Sequence, residues 1–206
     1  LLRDVADIIL LGHEVELREH YLRLGLDLSK ATIIDHTNSP YYKEFVESFY
    51  NMRKSKGINY QVAEDAIKNT NYFATMMVHL GYADGMVSGA IGSTADTIRP
   101  ALQIIKTTPD TSIVSSVFFM CLKTKVLVYG DCAINQDPNA GDLAQIALSS
   151  AQTAKAFELE PKVAMLSYST GESGSGEDVE KVKEATKILR QKDPSLLLEG
   201  PIQYDA

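Results

Sequence analysis

The sequence predicts an α/β protein, and three observations lead to that class. Short apolar runs alternate with helical patterns along the chain, which is typical of folds in which helices cover a sheet. Two strand-to-helix connections are rich in Gly, Ser and Thr, and α/β folds bind ligands at the carboxyl ends of their strands. Two apolar runs are separated only by Lys123 and Thr124, so the sheet is predicted to be mixed.

The first half of the chain shows a regular succession of apolar and helical patterns. They predict a strand over 5–12, a helical segment to Gly25, a strand over 31–36, helices over 39–57, 60–68 and 71–81, a strand over 85–90 and a helix over 93–107. Asn71 is expected to cap the third of these helices. Pro100 predicts that the last helix either begins near Thr97 or has a tight first segment.

The second half begins with an antiparallel hairpin of two β-branched runs, 112–122 and 125–135. The turn Asp137–Pro138–Asn139 then leads into an Ala-rich helix over 140–157. A strand from 162, a polar loop over 167–176, an amphipathic helix to 191 and a buried strand over 195–200 complete the pattern.

The composition of the 206 residues is that of an ordinary globular protein, with 45% hydrophobic and 23% charged residues. The net charge of −7 argues against a general nucleic-acid binder, but it leaves room for a local pocket that takes a phosphate-bearing ligand. Arg3, Asp4 and Asp7 interrupt the first apolar residues, so no secretory signal is visible, and no apolar run reaches membrane-spanning length. We therefore expect a cytoplasmic protein.

The polar loops over 89–97 and 167–176 are the strongest candidates for a binding site. Each loop enters a helix, whose first turn offers unpaired N–H groups and a partial positive charge. If both loops open onto one crevice, their amides and hydroxyls form a nest for a phosphate or an acyl phosphate. The alternative is that the hydroxyls only cap helices and form turns. The residues expected to bind the substrate are Ser93, Thr94, Arg99, Lys106, Tyr168, Ser169 and Thr170.

Other kinds of catalytic site find no support in the sequence. Walker A, G-x-G-x-x-G, G-x-S-x-G and H-E-x-x-H patterns are absent from it. Cys121 and Cys132 have no His or Cys at zinc spacing, so no metal is expected, and both thiols are predicted to be buried. Asp131 and Cys132 could also form a functional pair at a strand end. His79 is expected to be structural.

Long motifs in consecutive order resemble those of phosphate acetyltransferases, also called phosphotransacetylases, over essentially the whole chain. They are MMVHLGYADGMVSGAIGSTADTIRPALQIIKT, SIVSSVFFM, YGDCAIN, EPKVAMLSYSTGESGSGEDVEKV and LLLEGPIQYDA. The resemblance implies an enzyme of acetate metabolism that transfers an acetyl group reversibly between coenzyme A and inorganic phosphate, giving acetyl phosphate. Coenzyme A is then a substrate, and no metal or other cofactor is implied.

The resemblance also implies a three-layer α/β/α fold similar to that of isocitrate and isopropylmalate dehydrogenases. Two domains with a mixed sheet would enclose the active cleft, and a homodimer would form largely through the second domain. The expected domains are residues 1–118 and 119–206, both incomplete: the first lacks its N-terminal strand and its C-terminal return.

The catalytic serine, arginine and aspartate of the family are expected beyond Ala206. They lie in and just after a D-L-S-R-G segment, which these residues do not contain. The 206 residues alone are therefore expected to lack the catalytic segment. Two alternatives stay open, namely a non-catalytic regulatory module that binds acyl-coenzyme A and a phosphate butyryltransferase. The motifs LSYSTGESGSG and VYGDCAIN resemble those of the acetyl-transferring enzymes more than those of the butyryl-transferring ones.

Overall fold

A computed structural model describes residues 5–109 and 111–206. Its chain has a mixed α/β composition and divides into two compact units, with the division in the sequence between Lys106 and Thr107. The strands of the described residues form three separate two-stranded sheets, two parallel and one antiparallel. The expected domains 1–118 and 119–206 stay predictions.

The first unit is built mainly from helices. Its elements are β1 (Ile9–Leu11), α1 (Glu14–Arg23), β2 (Thr32–Ile34), α2 (Tyr42–Arg53), a 3-10 turn (Lys54–Lys56), α3 (Tyr60–Ile67), α4 (Thr70–His79) and α5 (Thr94–Ile104). β1 and β2 pair in parallel, with Ile9 opposite Thr32. The core contains Phe45 and Phe73, whose ring centroids lie 4.8 Å apart, together with the buried methionines of α4.

The helix ends of this unit follow from local side chains. Gly57 adopts the left-handed region, with φ of 88°, and ends the 3-10 turn. Asn69, not Asn71, caps α4, because Asn69 has an extended backbone and its side chain accepts hydrogen bonds from the amides of Asn71 and Tyr72. The prediction that Asn71 is the cap is wrong, since α4 begins one residue before it.

Residues 85–90 do not form the predicted strand. A strand requires a hydrogen-bonded neighbour, and within the described part of the chain no other strand pairs with this segment. Val87 is fully exposed and Ile91 is 92% exposed. The apolar pattern is present in the sequence, but a pattern does not supply a partner strand.

The second unit contains both types of strand pairing. Its elements are β3 (Val117–Cys121), β4 (Val126–Gly130), α6 (Ala140–Ala156), β5 (Lys162–Leu166), α7 (Glu177–Lys192) and β6 (Leu197–Ile202). The β3–β4 hairpin is antiparallel, as predicted, and β5 pairs with β6 in parallel. Asn139 caps α6 by accepting a hydrogen bond from the amide of Asp142 at 2.9 Å.

The core of the second unit lies between α6, α7 and the β5–β6 pair. Alanines on α6 allow it to approach α7 closely, and Leu189 of α7 is fully buried. The strand predicted over 195–200 is present as β6, but the prediction that it is buried is wrong, because exposed and partly buried side chains alternate from Leu197 to Gly200 and Leu197 is 55% exposed. Among the described residues, no helix is both long and apolar enough to cross a membrane.

Candidate functional site

The first candidate loop leads into α5, whose N-terminal turn is closed by a capping box. The Ser93 hydroxyl accepts a hydrogen bond from the Asp96 amide at 3.3 Å. The Asp96 carboxylate accepts in return from the Ser93 amide at 2.9 Å and from the Ser93 hydroxyl at 2.8 Å. The hydrogen bond from the Ser93 amide is the main reason why the pKa of Asp96 lies below its ordinary value of 3.8. A carboxylate thus already occupies the helix terminus where the sequence predicts an anion.

The other residues predicted on this helix are placed along its length. Thr94 is the first helical residue and is exposed. Arg99 is 57% exposed, and its Nη1 lies 4.0 Å from Oδ1 of Asp96, which leaves its guanidinium accessible to an external anion. Lys106 follows the end of α5 in the left-handed region. Since a helix of this length spans roughly 16 Å, Lys106 lies at the opposite end of α5 from Thr94.

Pro100 is accommodated inside α5 by a side chain from α4. Proline has no N–H group, so the carbonyl of Asp96, four residues earlier, loses its donor within the helix. Nδ2 of Asn71 donates to that carbonyl at 3.2 Å. Oδ1 of Asn71 accepts a hydrogen bond from the Ser88 hydroxyl at 2.6 Å. Asn71 therefore joins α4 both to the 85–92 segment and to the first turns of α5.

The second candidate loop, residues 167–176, is folded around Ser169. This side chain is 6% exposed, and its hydroxyl lies 2.9 Å from that of Ser173. Gly174 passes so close that a Cβ atom built on it would lie 2.5 Å from Oγ of Ser169. A side chain at position 174 would therefore force the loop to shift, and the sequence pattern does not distinguish this glycine from the others in the loop.

Tyr168 and Thr170 flank Ser169 and differ in accessibility. Thr170 Oγ1 accepts a hydrogen bond from the amide of Gln203 at 3.0 Å, which ties the loop to the chain just after β6. Tyr168 is exposed, and its hydroxyl donates to the carbonyl of Ser175 at 3.2 Å. Tyr168 is thus the most accessible of the three residues predicted in this loop.

The helix that follows the second loop carries acidic residues in its first turn, namely Glu177, Asp178 and Glu180. Lys183 lies 2.9 Å from Glu172 and 3.1 Å from Glu180, and the hydrogen bond to Glu172 is the main cause that raises the pKa of Lys183. The Ser93 hydroxyl caps α5. The N-cap residue of α7 is Gly176, which receives no side-chain cap, and the hydroxyls of Ser173 and Thr170 bond within the second loop and to the amide of Gln203. The two loops lie in different units, and their meeting in one crevice stays a prediction.

The remaining sequence candidates are placed as follows. Cys132 is partly buried, and its Sγ lies 3.3 Å from the Ser116 hydroxyl. Cys121 is exposed at the end of β3, so the prediction that both thiols are buried is wrong; the short hairpin leaves this strand end uncovered. His79 ends α4 and is exposed. Over residues 5–109 and 111–206, no group of three or more His, Cys, Asp or Glu could hold a metal ion.

The model of one known protein family matches the whole sequence. A family model described as phosphate acetyl/butaryl transferase covers residues 1–206. The phosphate acetyltransferase of Synechocystis sp. is 56% identical over 205 residues, which are 98% of this chain and 29% of that protein. The phosphate acetyltransferase of Corynebacterium glutamicum is 47% identical over 204 residues, 99% of this chain and 62% of that protein. The chain thus spans about a third to two thirds of the length of these curated relatives.

Two solved structures share the fold. The EutD phosphotransacetylase from Staphylococcus aureus superposes with a TM-score of 0.84 at 43% identity, over 96% of this chain and 61% of that one. A phosphotransacetylase from Streptococcus pyogenes gives a TM-score of 0.85 at 46% identity, over 95% of this chain and 60% of that one.

Proposed function

The chain belongs to the phosphate acetyl/butaryl transferase family, and we propose that the protein containing it transfers an acetyl group reversibly between coenzyme A and inorganic phosphate. Acetyl phosphate and free coenzyme A are the products in one direction. The observation that carries the proposal is the 56% identity to a phosphate acetyltransferase across 98% of the chain. At that coverage the match runs through both candidate loops.

The reaction is a displacement at a carbonyl carbon. In the direction that consumes acetyl phosphate, the thiolate sulfur of coenzyme A attacks the acetyl carbon and forms a thioester bond. The bond from that carbon to the phosphate oxygen breaks, and its electron pair leaves with the phosphate. Negative charge develops on the carbonyl oxygen during attack, so N–H donors and cations that face it lower the barrier.

The substrate-binding residues proposed for this chain are those of the two loops and of α5: Ser93, Thr94, Arg99, Lys106, Tyr168, Ser169 and Thr170. Accessibility supports direct contact most clearly for Arg99, whose planar guanidinium suits a phosphate, and for Tyr168. The buried position of Ser169 supports a different contribution, since it shapes the loop from within. Lys106 would act on a part of the substrate about one helix length from Thr94.

Several further properties are proposed from the resemblance. Coenzyme A acts as a substrate, and neither a metal nor another cofactor takes part. The catalytic serine, arginine and aspartate lie outside the 206 residues. The intact protein is a cytoplasmic homodimer whose domains are three-layer α/β/α units like those of isocitrate dehydrogenases. TM-scores of 0.84 and 0.85 to phosphotransacetylases support the fold, and light scattering tests the dimer.

A thiol-release assay on the intact protein tests the proposed activity. Acetyl-coenzyme A with inorganic phosphate should release free thiol and acetyl phosphate, and omission of phosphate should abolish the release. The isolated 206 residues should show no turnover. An intact protein that binds acyl-coenzyme A without turnover would instead be the regulatory module.

The family description covers acetyl and butyryl transfer, so the acyl chain needs its own comparison. We expect acetyl-coenzyme A to give the higher kcat/KM. A clear preference for butyryl-coenzyme A in the same assay would identify a phosphate butyryltransferase.

A further inference from the structure

Asn71 holds a position that neither the sequence patterns nor the proposed reaction explains. Its Nδ2 donates to the carbonyl of Asp96, which Pro100 has deprived of the usual helical donor. Asp96 is exposed, so the bond from Asn71 does not rescue a buried group; it takes the place of the missing helical bond and links α4 to the first turns of α5.

The same side chain also holds the segment that precedes α5. This segment has no strand partner in the described chain, and Val87 and Ile91 are exposed, so apolar packing holds these two side chains weakly. Its polar anchors include the bond from the Ser88 hydroxyl to Oδ1 of Asn71, at 2.6 Å, and a contact of 3.4 Å from the Thr75 hydroxyl to Sδ of Met86.

We propose that Asn71 is a positioning residue for the phosphate-bearing substrate, because one amide group sets both sides of the first candidate loop. Its oxygen places residues 85–92, and its nitrogen places the turn of α5 that carries Ser93, Asp96 and Arg99. This inference rests on the proposed function, since it assigns to Asn71 the geometry in which the loop meets phosphate. Asn71 itself touches no reacting atom in this assignment.

The test replaces Asn71 by aspartate in the intact protein. The new carboxylate would have nearly the same shape as the amide and could still accept from Ser88, but it would turn an oxygen towards the Asp96 carbonyl. We expect the KM for phosphate to rise about three- to tenfold in Asn71→Asp, the effect of losing roughly one hydrogen bond. The kcat and the KM for acetyl-coenzyme A should change less than about twofold, a difference within the ordinary scatter of surface substitutions.

Two further variants separate positioning from general destabilisation. Ser88→Ala removes only the bond on the other side of Asn71 and should raise the phosphate KM less. Asn51→Asp makes the same chemical change on the exposed face of α2 and should leave kcat and the KM values of both substrates unchanged.

Pro100→Ala provides the decisive rescue. Alanine restores the N–H group that the Asp96 carbonyl lacks, so Asn71→Asp should affect the phosphate KM much less in that background than in the parent. An equal effect in both backgrounds would overturn the inference. A parallel rise in the KM values of both substrates would overturn it as well, because it would indicate general damage.

Amide exchange distinguishes failure of this inference from failure of the proposed activity. If the unaltered intact protein shows no turnover, the activity is refuted. Inorganic phosphate should still slow amide exchange over residues 86–96, and Asn71→Asp should abolish that protection. Absence of phosphate protection in the unaltered protein would refute the positioning role.

Discussion

Gly174 lies so close to Ser169 that a methyl group added at position 174 would clash with it. In Gly174→Ala, the new Cβ would lie 2.5 Å from Oγ and 2.8 Å from Cβ of Ser169. Carbon atoms in good contact are about 3.5–4.0 Å apart, so the two residues must separate by close to an ångström. Ser169 is 6% exposed and cannot turn into solvent, so the loop backbone has to move.

Overpacking of this kind costs about 1–3 kcal/mol. A loss of about 2 kcal/mol would lower the midpoint of urea unfolding by about 1 M at a typical slope for urea. Because the loop also carries Tyr168 and Thr170, the KM for phosphate should rise in the intact protein. Gly85→Ala is the matched control, since its Cβ would meet nothing within 4 Å, and we expect it to change stability by less than about 0.5 kcal/mol.

Urea unfolding of the intact protein, with amide exchange of α7 as a local measure, provides the assay. Ser169→Gly removes both atoms that the new methyl group would meet. The double variant Ser169→Gly/Gly174→Ala should therefore be less destabilised than the sum of the single variants. Strict additivity, or a Gly174→Ala protein that unfolds at the original urea concentration, would refute the steric reasoning.

Three other predictions concern individual side chains. Arg99→Ala should weaken phosphate use in the intact protein by about 1–3 kcal/mol, the range for a charged hydrogen bond, whereas exposed Arg18→Ala should not; equal phosphate KM values would contradict the role. The folded-state pKa of Asp96 is depressed by the Ser93 amide and hydroxyl, so its stabilisation is present above pH 3.8 and lost as the pH falls through the folded value. Asp96→Asn should flatten the acid side of the curve of unfolding free energy against pH, and an unchanged slope would count against this linkage. Alkylation of Cys132 should inactivate the intact protein while Cys132→Ala stays active, and an inactive alanine variant would show that the thiol takes part in the chemistry.

The predicted elements that succeed are those specified by neighbouring residues. Lys123 and Thr124 leave too little chain for anything but a hairpin, and the observed β3–β4 pairing is antiparallel. The turn Asp137–Pro138–Asn139 leads into a helix, as predicted, and α6 begins at Ala140. Such signals act over a few residues, so they can be read without knowledge of the rest of the fold.

The candidate site was predictable in part. Ser93 follows a glycine loop and precedes an amphipathic helix, which is enough to predict a capped helix start, and the capping box with Asp96 confirms it. The donor to the backbone carbonyl of Asp96 was not predictable, because it is a side chain of α4, 25 positions away in the sequence. Proline signals that a donor is missing, but it does not indicate which side chain replaces it.

The α/β class, the hairpin, the order of helices and the phosphotransacetylase-like motifs can be recognised from the sequence, because periodicity, turn chemistry and motif order are local properties of the chain. Three features require the folded structure: residues 85–90 have no strand partner among the described residues, Asn71 replaces the donor that Pro100 lacks rather than capping a helix, and Gly174 packs against Ser169. Each of these depends on atoms that approach one another only after the chain has folded. Strand pairing and donor replacement are relations between elements, and the fit of Gly174 against Ser169 depends on how the loop between β5 and α7 folds back on itself.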